Sequence, residues 1–341
     1  MLLPVFAGGL PAAPASLSVE LDRSMTPACR KVLAGDPRAV PELAEHPVVR
    51  MLSEGMRPEV TFTAREFAAA SLQASDDPRF SWNQFRERRE EVERLRRWIE
   101  ANEAALRGKS WREATRFIVA LPPSTRITVH LTCGAASDAY GFKVDGKPEL
   151  FLDLGMLAGK DDARTRASFQ AILTHELWHA ALSLEQSELR WPDFRSSTDP
   201  ATRLAFVMLN EGGGHFYSLG PRLEDPAARV ETEARFRSAF ALLGEKYQAY
   251  ASAGNEEERD KQLWSSHAGV PFWEKWGAIP GAYMFHRLSQ VLGDAQVARL
   301  VSRGPYDLVF RYAELQARNT DWPALPPKLI GDLRRASRAD R

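Results

Sequence analysis

The spacing of hydrophobic positions changes twice along this chain. Residues 26–56 carry apolar side chains at helical intervals, interrupted at Gly35-Asp36-Pro37, which predicts two short helices. Helical periodicity returns in TAREFAAASLQAS and again from Asn83 to Leu106, and the run WREATRFIVALPP stops at a proline pair, where a helix must end. The rhythm then shortens. RITVHLTCG (126–134) and ELFLDLGML (149–157) are rich in β-branched and apolar residues, with the turn sequence Val144-Asp145-Gly146-Lys147 between them. They predict a small antiparallel unit of two or three strands. SLSVELD (16–22) is a further short strand or a lead-in. Beyond residue 160 the helical rhythm resumes. It runs through DDARTRASFQAILTHELWHAALSLEQ, with Asp161 or Asp162 as cap, then 201–218, 226–252, PGAYMFHRLSQVLG and the last segments DAQVARLVSR and YDLVFRYAELQ. The expectation is a mostly helical α+β fold.

Composition narrows the function classes. Hydrophobic residues make up 44% and charged residues 26% of 341 residues, which is enough for a packed core and argues against disorder. Lys plus Arg and Asp plus Glu both number 45, so no global field recruits nucleic acid or an anionic membrane. The one basic run, RFSWNQFRERREEVERLRRW (79–98), is interleaved with glutamates and reads as a solvated helix face with internal ion pairs. No apolar run reaches the length of a membrane span. The start, MLLPVFAGGLPAAPAS, has a short apolar run ending in small residues. It resembles an export signal without a basic leader, so residues 1–16 are set apart from the fold and the expected compartment is either outside the cytoplasm or within it. Cys29 and Cys133 are the only cysteines. So far apart, they make no disulfide framework or zinc knuckle; they could pair, but Cys133 ends the buried strand ITVHLTCG, and the expectation is free, inert thiols.

The chemistry concentrates in THELWHAALS (174–183). Residues four apart share a helix face, so His175 and His179 can chelate one ion. Glu176 is one position on, unable to join them as ligand but able to reach a water bound to the ion. That is the logic of His-Glu-x-x-His. Ile172, Leu173, Leu177, Trp178, Ala180 and Ala181 surround the pair with uncharged flanks, as a buried metal helix requires. The bland alternative is a pair of helix histidines bonded to neighbouring groups. A third ligand is still needed. A third His six residues after His179 is excluded, because position 185 is Glu and position 182 is Leu. AFVMLNEGGGHFYSLG (205–220) offers Glu211, 32 residues on (211 − 179), and His215 one turn later. Either could reach the ion. Glu211 follows an apolar run, so it points inward, where an unpaired carboxylate is costly without a cation. Gly212, Gly213 and Gly214 are unfavourable in a helix and make sense where another element or a substrate approaches the backbone. His130 alternates with apolar residues in a strand and reads as structural; His46 and His267 have no supporting context.

HELWH and NEGGGHF together resemble the gluzincin metallopeptidases, the thermolysin-like group, and more closely an uncharacterised bacterial branch of zinc-dependent peptidases. IPGAYMFHRLSQVLG (279–293) resembles a third element of that branch, and the likeness covers about residues 125–315. Gly214-His215 departs from the branch's usual continuation. The resemblance implies a zincin-like unit over 125–335, its sheet beside the HExxH helix, with the helical region 17–124 packed on it. It implies one catalytic Zn2+ held by His175, His179 and Glu211, with His215 beside the site. It also implies hydrolysis of a peptide or protein by zinc-bound water, with Glu176 as base and Tyr283 or His286 steadying the oxyanion. In this fold class a sheet edge beside the metal helix pairs with the extended substrate; ELFLDLG or the segment at Ala139-Tyr140-Gly141 is the candidate. A zinc hydrolase with a non-peptide substrate, or an inactive binding scaffold, remains the rival reading; retention of Glu176 argues against the latter.

Overall fold

The computed structural model describes residues 16–55, 61–73, 77–135 and 137–339. The signal-like reading of residues 1–16 lies outside the described residues, except that Ser16 opens the first strand. The order is β1 (Ser16–Asp22), α1 (Thr26–Leu33), α2 (Ala39–Glu45), α3 (Pro47–Gly55), α4 (Ala64–Ala70), α5 (Trp82–Glu87) and α6 (Arg89–Ala114). Then come β2 (Ser124–Thr132), β3 (Ala139–Val144), β4 (Lys147–Asp153), α7 (Leu154–Leu157), α8 (Asp162–Leu189), α9 (Pro200–Glu224) and α10 (Pro226–Ser252). α11 (Glu256–Ser265), α12 (Ala278–Leu292), α13 (Asp294–Ser302), α14 (Pro305–Gln316) and α15 (Pro327–Ala339) complete the chain. The protein is mostly helical α+β, and no described helix is long and apolar enough to cross a membrane.

The sheet is mixed, which corrects the antiparallel expectation. Its order is β1-β2-β4-β3, with β1 and β4 both parallel to β2 and only β3 antiparallel to β4. Two causes act. Asp145 and Gly146 both take positive φ (50° and 76°), the geometry of a tight two-residue hairpin turn, so β3 must fold back on β4. β4 is the more apolar partner, buried through its second half, and it takes the interior place beside β2. β3 alternates between half-buried and exposed positions, as an edge strand does. Of the two candidates for the substrate edge, the Ala139-Tyr140-Gly141 segment is therefore the edge and ELFLDLG is not.

The N-terminal region is woven into this sheet rather than laid on it. β1 supplies a strand. Across the sheet's interior, His130 of β2 sits between Asp22 of β1 (2.7 Å) and Glu149 of β4 (3.0 Å); this satisfies its ring nitrogens and gives it the structural role expected. α6 carries the charged run, with Arg96 paired to Glu93 and Glu100 and Arg94 reaching Asp162 of α8. Cys29 of α1 and Cys133 just after β2 form a disulfide, Cα atoms 6.1 Å apart and 104 residues apart in sequence. The expectation of free thiols is thus overturned. The parallel pairing of β1 with β2 carries the following helix α1 back beside the end of β2, a proximity that spacing along the chain does not reveal.

Candidate metal centre

Helices α8 and α9 build the site. Asp161 caps α8, its side chain accepting from the Arg164 N–H. Asp199 caps α9, accepting from the Thr202 N–H at 2.7 Å, with Pro200 at the first turn. Both are favourable starts. Phe169, Leu173, Leu177, Trp178 and Leu182 are buried along α8, so the turn carrying His175 and His179 is anchored by its neighbours rather than by its own polar groups.

Gly212, Gly213 and Gly214 each meet a different neighbour. A Cβ at 212 would lie 2.6 Å from the backbone of Gly281 in α12, one at 213 would lie 2.3 Å from the Trp178 ring, and one at 214 would lie 2.7 Å from the His175 ring. The run is what allows α9 to press against α12 on one side and against the histidine turn of α8 on another. Trp178 completes the contact by donating its indole N–H to the Asn210 carbonyl at 2.7 Å.

This packing brings three donors together. The Nε2 atoms of His175 and His179 are 2.8 Å apart, and Glu211 Oε2 lies 3.6 and 3.5 Å from them. Donors bound tetrahedrally at zinc–ligand distances of about 2.0–2.2 Å stand roughly 3.3–3.5 Å from one another. The two Glu211 distances fit one small ion with N and O ligands, whereas the histidine nitrogens, at 2.8 Å, stand about 0.5 Å closer than such an ion would set them. The three side chains are 15%, 20% and 18% exposed, so the centre is open to a fourth, non-protein ligand. Asn210 ties two of them: its Oδ1 is 3.0 Å from His179 Nδ1 and its amide donates to Glu211 Oε1 at 3.2 Å. A hydrogen bond on the far ring nitrogen fixes the tautomer that presents Nε2 inward.

Charge is balanced within the cluster. Burial disfavours a charged Glu211, but His179 and His175 more than reverse this and hold its carboxyl well below the ordinary range. Burial likewise disfavours a charged His179, yet Glu211, then Glu176 and Asn210, raise its pKa to about 9. Glu211 thus favours positive charge at the cluster, which a metal ion held there would supply. Glu176 sits beside the three. A Cβ on Gly141 of β3 would be 3.4 Å from its Oε2, so the carboxylate faces the edge strand. Burial raises its pKa; the histidines oppose this and Glu211 and Asp138 reinforce it. A carboxylate with a raised pKa takes up a proton more readily.

The other expected residues fall in different places. His215 is buried with its ring edge-on to His175, centroids 4.7 Å apart. Burial, then the positive charges of His175 and Lys275, pull its pKa well down, and its Nε2 accepts from the Lys275 ammonium at 3.3 Å. Tyr283 and His286 are not brought to the cluster by any hydrogen bond, ion pair or ring contact among the described residues. The Tyr283 hydroxyl accepts from Arg287 at 2.9 Å and its ring packs on Phe236 and Phe240 of α10. His286 faces a separate cavity of about 310 Å³ with Arg116, Phe216 and Asp294. Gly281 explains the turn: pressed on Met208 and Gly212, it fixes which face of α12 meets α9, and in the next turn that face carries Phe285, against Phe216 and Trp178, rather than Tyr283 or His286. Asn210 and Lys275 were not singled out by sequence. The first was adjacent to Glu211 in MLNEGGG; the second lies in a connection with no periodicity to read.

A family model described as "Putative zinc dependent peptidase (DUF5700)" matches residues 59–320. No curated protein and no solved structure matches the chain. The match spans α4 through α14 and so contains both helices of the cluster and the whole of its edge strand. Since it covers well over half the sequence, the chain belongs to the family so described.

Proposed function

We propose that the protein is a zinc peptidase of the gluzincin kind, with His175, His179 and Glu211 as ligands and Glu176 as general base. The observation that carries this is the placement of the Glu176 carboxylate between the three donors and the Gly141 backbone of an open sheet edge. Bound at the three donors, zinc would polarise a carbonyl and lower the pKa of a water.

The protein's own groups do the rest. An extended peptide pairs along β3, which sets the scissile carbonyl over the histidine turn. Glu176 takes a proton from the attacking water as the new C–O bond forms. The same proton passes to the amide nitrogen as the C–N bond breaks, leaving a carboxylic acid and an amine, and the acid's proton then moves to the amine to give carboxylate and ammonium. Asn210 holds His179 and Glu211 in place throughout. The Cys29–Cys133 disulfide supports action in an oxidising compartment.

The test is digestion of a mixed peptide library with and without a chelator, using wild type and Glu176→Gln. Chelator-sensitive cleavage by wild type is expected. Glu176→Gln is expected to keep metal and fold yet cleave nothing, since an amide cannot accept the proton. A variant that still cleaves at the wild-type rate removes Glu176 from the mechanism.

A further inference from the structure

Among the described residues, Lys275 stands beside His215 of the cluster's surroundings without an ion pair. Lys275 follows the short 3-10 turn Phe272–Glu274 and leads into α12, its carbonyl accepting from the Ile279 N–H at 3.0 Å. Its side chain turns inward. The ammonium lies 3.3 Å from His215 Nε2 and 5.6 Å from the centre of the Phe272 ring. His215 in turn rests against His175. Glu211, Asp138 and Glu176 are the carboxylates that act on this lysine, yet none forms an ion pair with it among the described residues. Other lysines with ion partners, such as Lys31 and Lys328, pair with exposed or half-buried acids on their own surfaces.

A half-buried ammonium held only by an imidazole is expensive unless an anion joins it. Glu211 and Glu176 do not fill that place: the first is engaged with the histidines, the second faces the edge strand. His215 lies against His175, so an acceptor bound over the histidine turn comes within reach of the ammonium that His215 holds.

We propose that Lys275, steered by His215, donates a hydrogen bond to the carbonyl oxygen of the scissile peptide bond as that oxygen becomes negative. This rests on the peptidase reading and deepens it. When water adds to the carbonyl carbon, the C–O bond forms and the carbonyl π pair moves onto its oxygen. The water's proton goes to Glu176. Lys275 meets the new charge without giving up its own proton. When the pair returns, the C–N bond breaks and the amine nitrogen takes the proton from Glu176. Lys275 thus occupies the role that sequence had offered to Tyr283 or His286. A charged donor placed where charge develops stabilises the transition state more than the ground state, so its removal should fall on kcat.

The experiment compares Lys275→Met, Lys275→Gln and Lys275→Arg with wild type, all zinc-loaded, on one peptide that wild type cleaves. It reads kcat, KM, zinc content, thermal unfolding and calorimetric affinity for a phosphonamidate analogue of that peptide, whose charged tetrahedral oxygens mimic the reacting centre. Lys275→Met is expected to lose about a hundred- to a thousandfold in kcat, with KM within about threefold of wild type. Phosphonamidate affinity should fall by a similar factor, zinc content and unfolding temperature should hold, and Lys275→Arg should recover part of the rate. Lys275→Gln carries the same expectation and decides if the methionine variant does not fold. Wild-type kcat in the neutral variants overturns the proposal. So does a loss of kcat with unchanged phosphonamidate affinity. An effect on KM alone, confined to peptides with a free terminal carboxylate near the cut, also overturns it, because the lysine would then read the substrate's end. If wild type cleaves no peptide, the peptidase reading fails and this proposal with it; if wild type cleaves and Lys275→Met equals it, only the lysine's role fails.

Discussion

The substitution Gly212→Ala tests whether α9 and α12 really meet backbone to backbone. In an ordinary helix interior, replacing Gly by Ala stabilises by about 0.4–1 kcal/mol. At 212 the added methyl would sit 2.6 Å from both the Cα and the carbonyl carbon of Gly281. Carbon atoms pack comfortably at about 3.5–4.0 Å, so the helices must part by roughly 1 Å. Backbone cannot swing aside as a side chain does. The separation loosens contacts all along the crossing, and overpacking of this kind costs about 1–3 kcal/mol, occasionally more. The net expectation is destabilisation of about 2 kcal/mol. Gly244 in α10 supplies the control. Its methyl would meet only Pro326, at 3.9 Å, so Gly244→Ala should stabilise by up to about 1 kcal/mol. Urea unfolding of both variants, followed by circular dichroism and tryptophan fluorescence, reads the difference of about 3 kcal/mol between them. Gly212→Ala as stable as Gly244→Ala would refute the close crossing, and with it the reason given for glycine beside Glu211.

Other outcomes follow from the same geometry. Glu211→Ala should weaken zinc binding strongly, while His215→Ala should leave zinc in place; a titration in which His215→Ala loses the ion and Glu211→Ala keeps it would reverse the ligand assignment. Buried Glu185 accepts from the Val119 and Ala120 N–H groups, and burial, against those two bonds, raises its pKa from 4.5 to about 7. Its folded pKa exceeds its unfolded one, so its contribution is full below pH 4.5 and is lost as pH rises through 7. Glu185→Gln keeps an acceptor for both N–H groups and removes the titration, so it should gain on wild type by on the order of 2 kcal/mol between about pH 5 and pH 8; parallel stability–pH curves for the two would sink this. Reduction of Cys29–Cys133, which closes a segment of 104 residues, should lower the unfolding free energy by about 2–5 kcal/mol, and identical unfolding with and without reductant would show that the link does not constrain the unfolded chain.

The parts of the site that were legible in sequence are those fixed by local geometry. A helix places residues i and i+4 on one face whatever surrounds it, so His175 and His179 declared themselves. Glu211 was legible because an acid after AFVMLN must be buried, and buried acids need partners. The glycines after it announced a close approach but not its object. Only the fold shows that three neighbours, Gly281, Trp178 and His175, claim one glycine each. What failed were particular inferences that needed the third dimension. Tyr283 and His286 were offered as alternative donors to the oxyanion. Yet which way α12 faces is set by Gly281 against Met208, and that contact sends Tyr283 to α10 and His286 to a separate cavity. The antiparallel sheet and the free cysteines failed for a shared reason. Both assumed that residues near in sequence would pair, whereas β1 crosses to β2 over α1–α6 and brings Cys29 to Cys133.

Lys275 shows the limit most sharply, and also why the structure is informative there. Its segment, VPFWEKW, has no period, no cap and no motif; a lysine in such a connection is ordinarily a solvated charge. What makes this one different is a set of relations that no local pattern encodes. α9 presents His215 one turn beyond Glu211, Phe272 packs edge-on to that histidine, and among the described residues the imidazole is the ammonium's hydrogen-bond partner. A metal-binding motif can be recognised because its spacing is written into the helix. The groups that decide what happens to a substrate beside the metal arrive from elsewhere in the chain, here from the sheet edge at Gly141 and the connection at Lys275. It is there, and not in the HELWH helix itself, that the specificity of this peptidase family member should be sought.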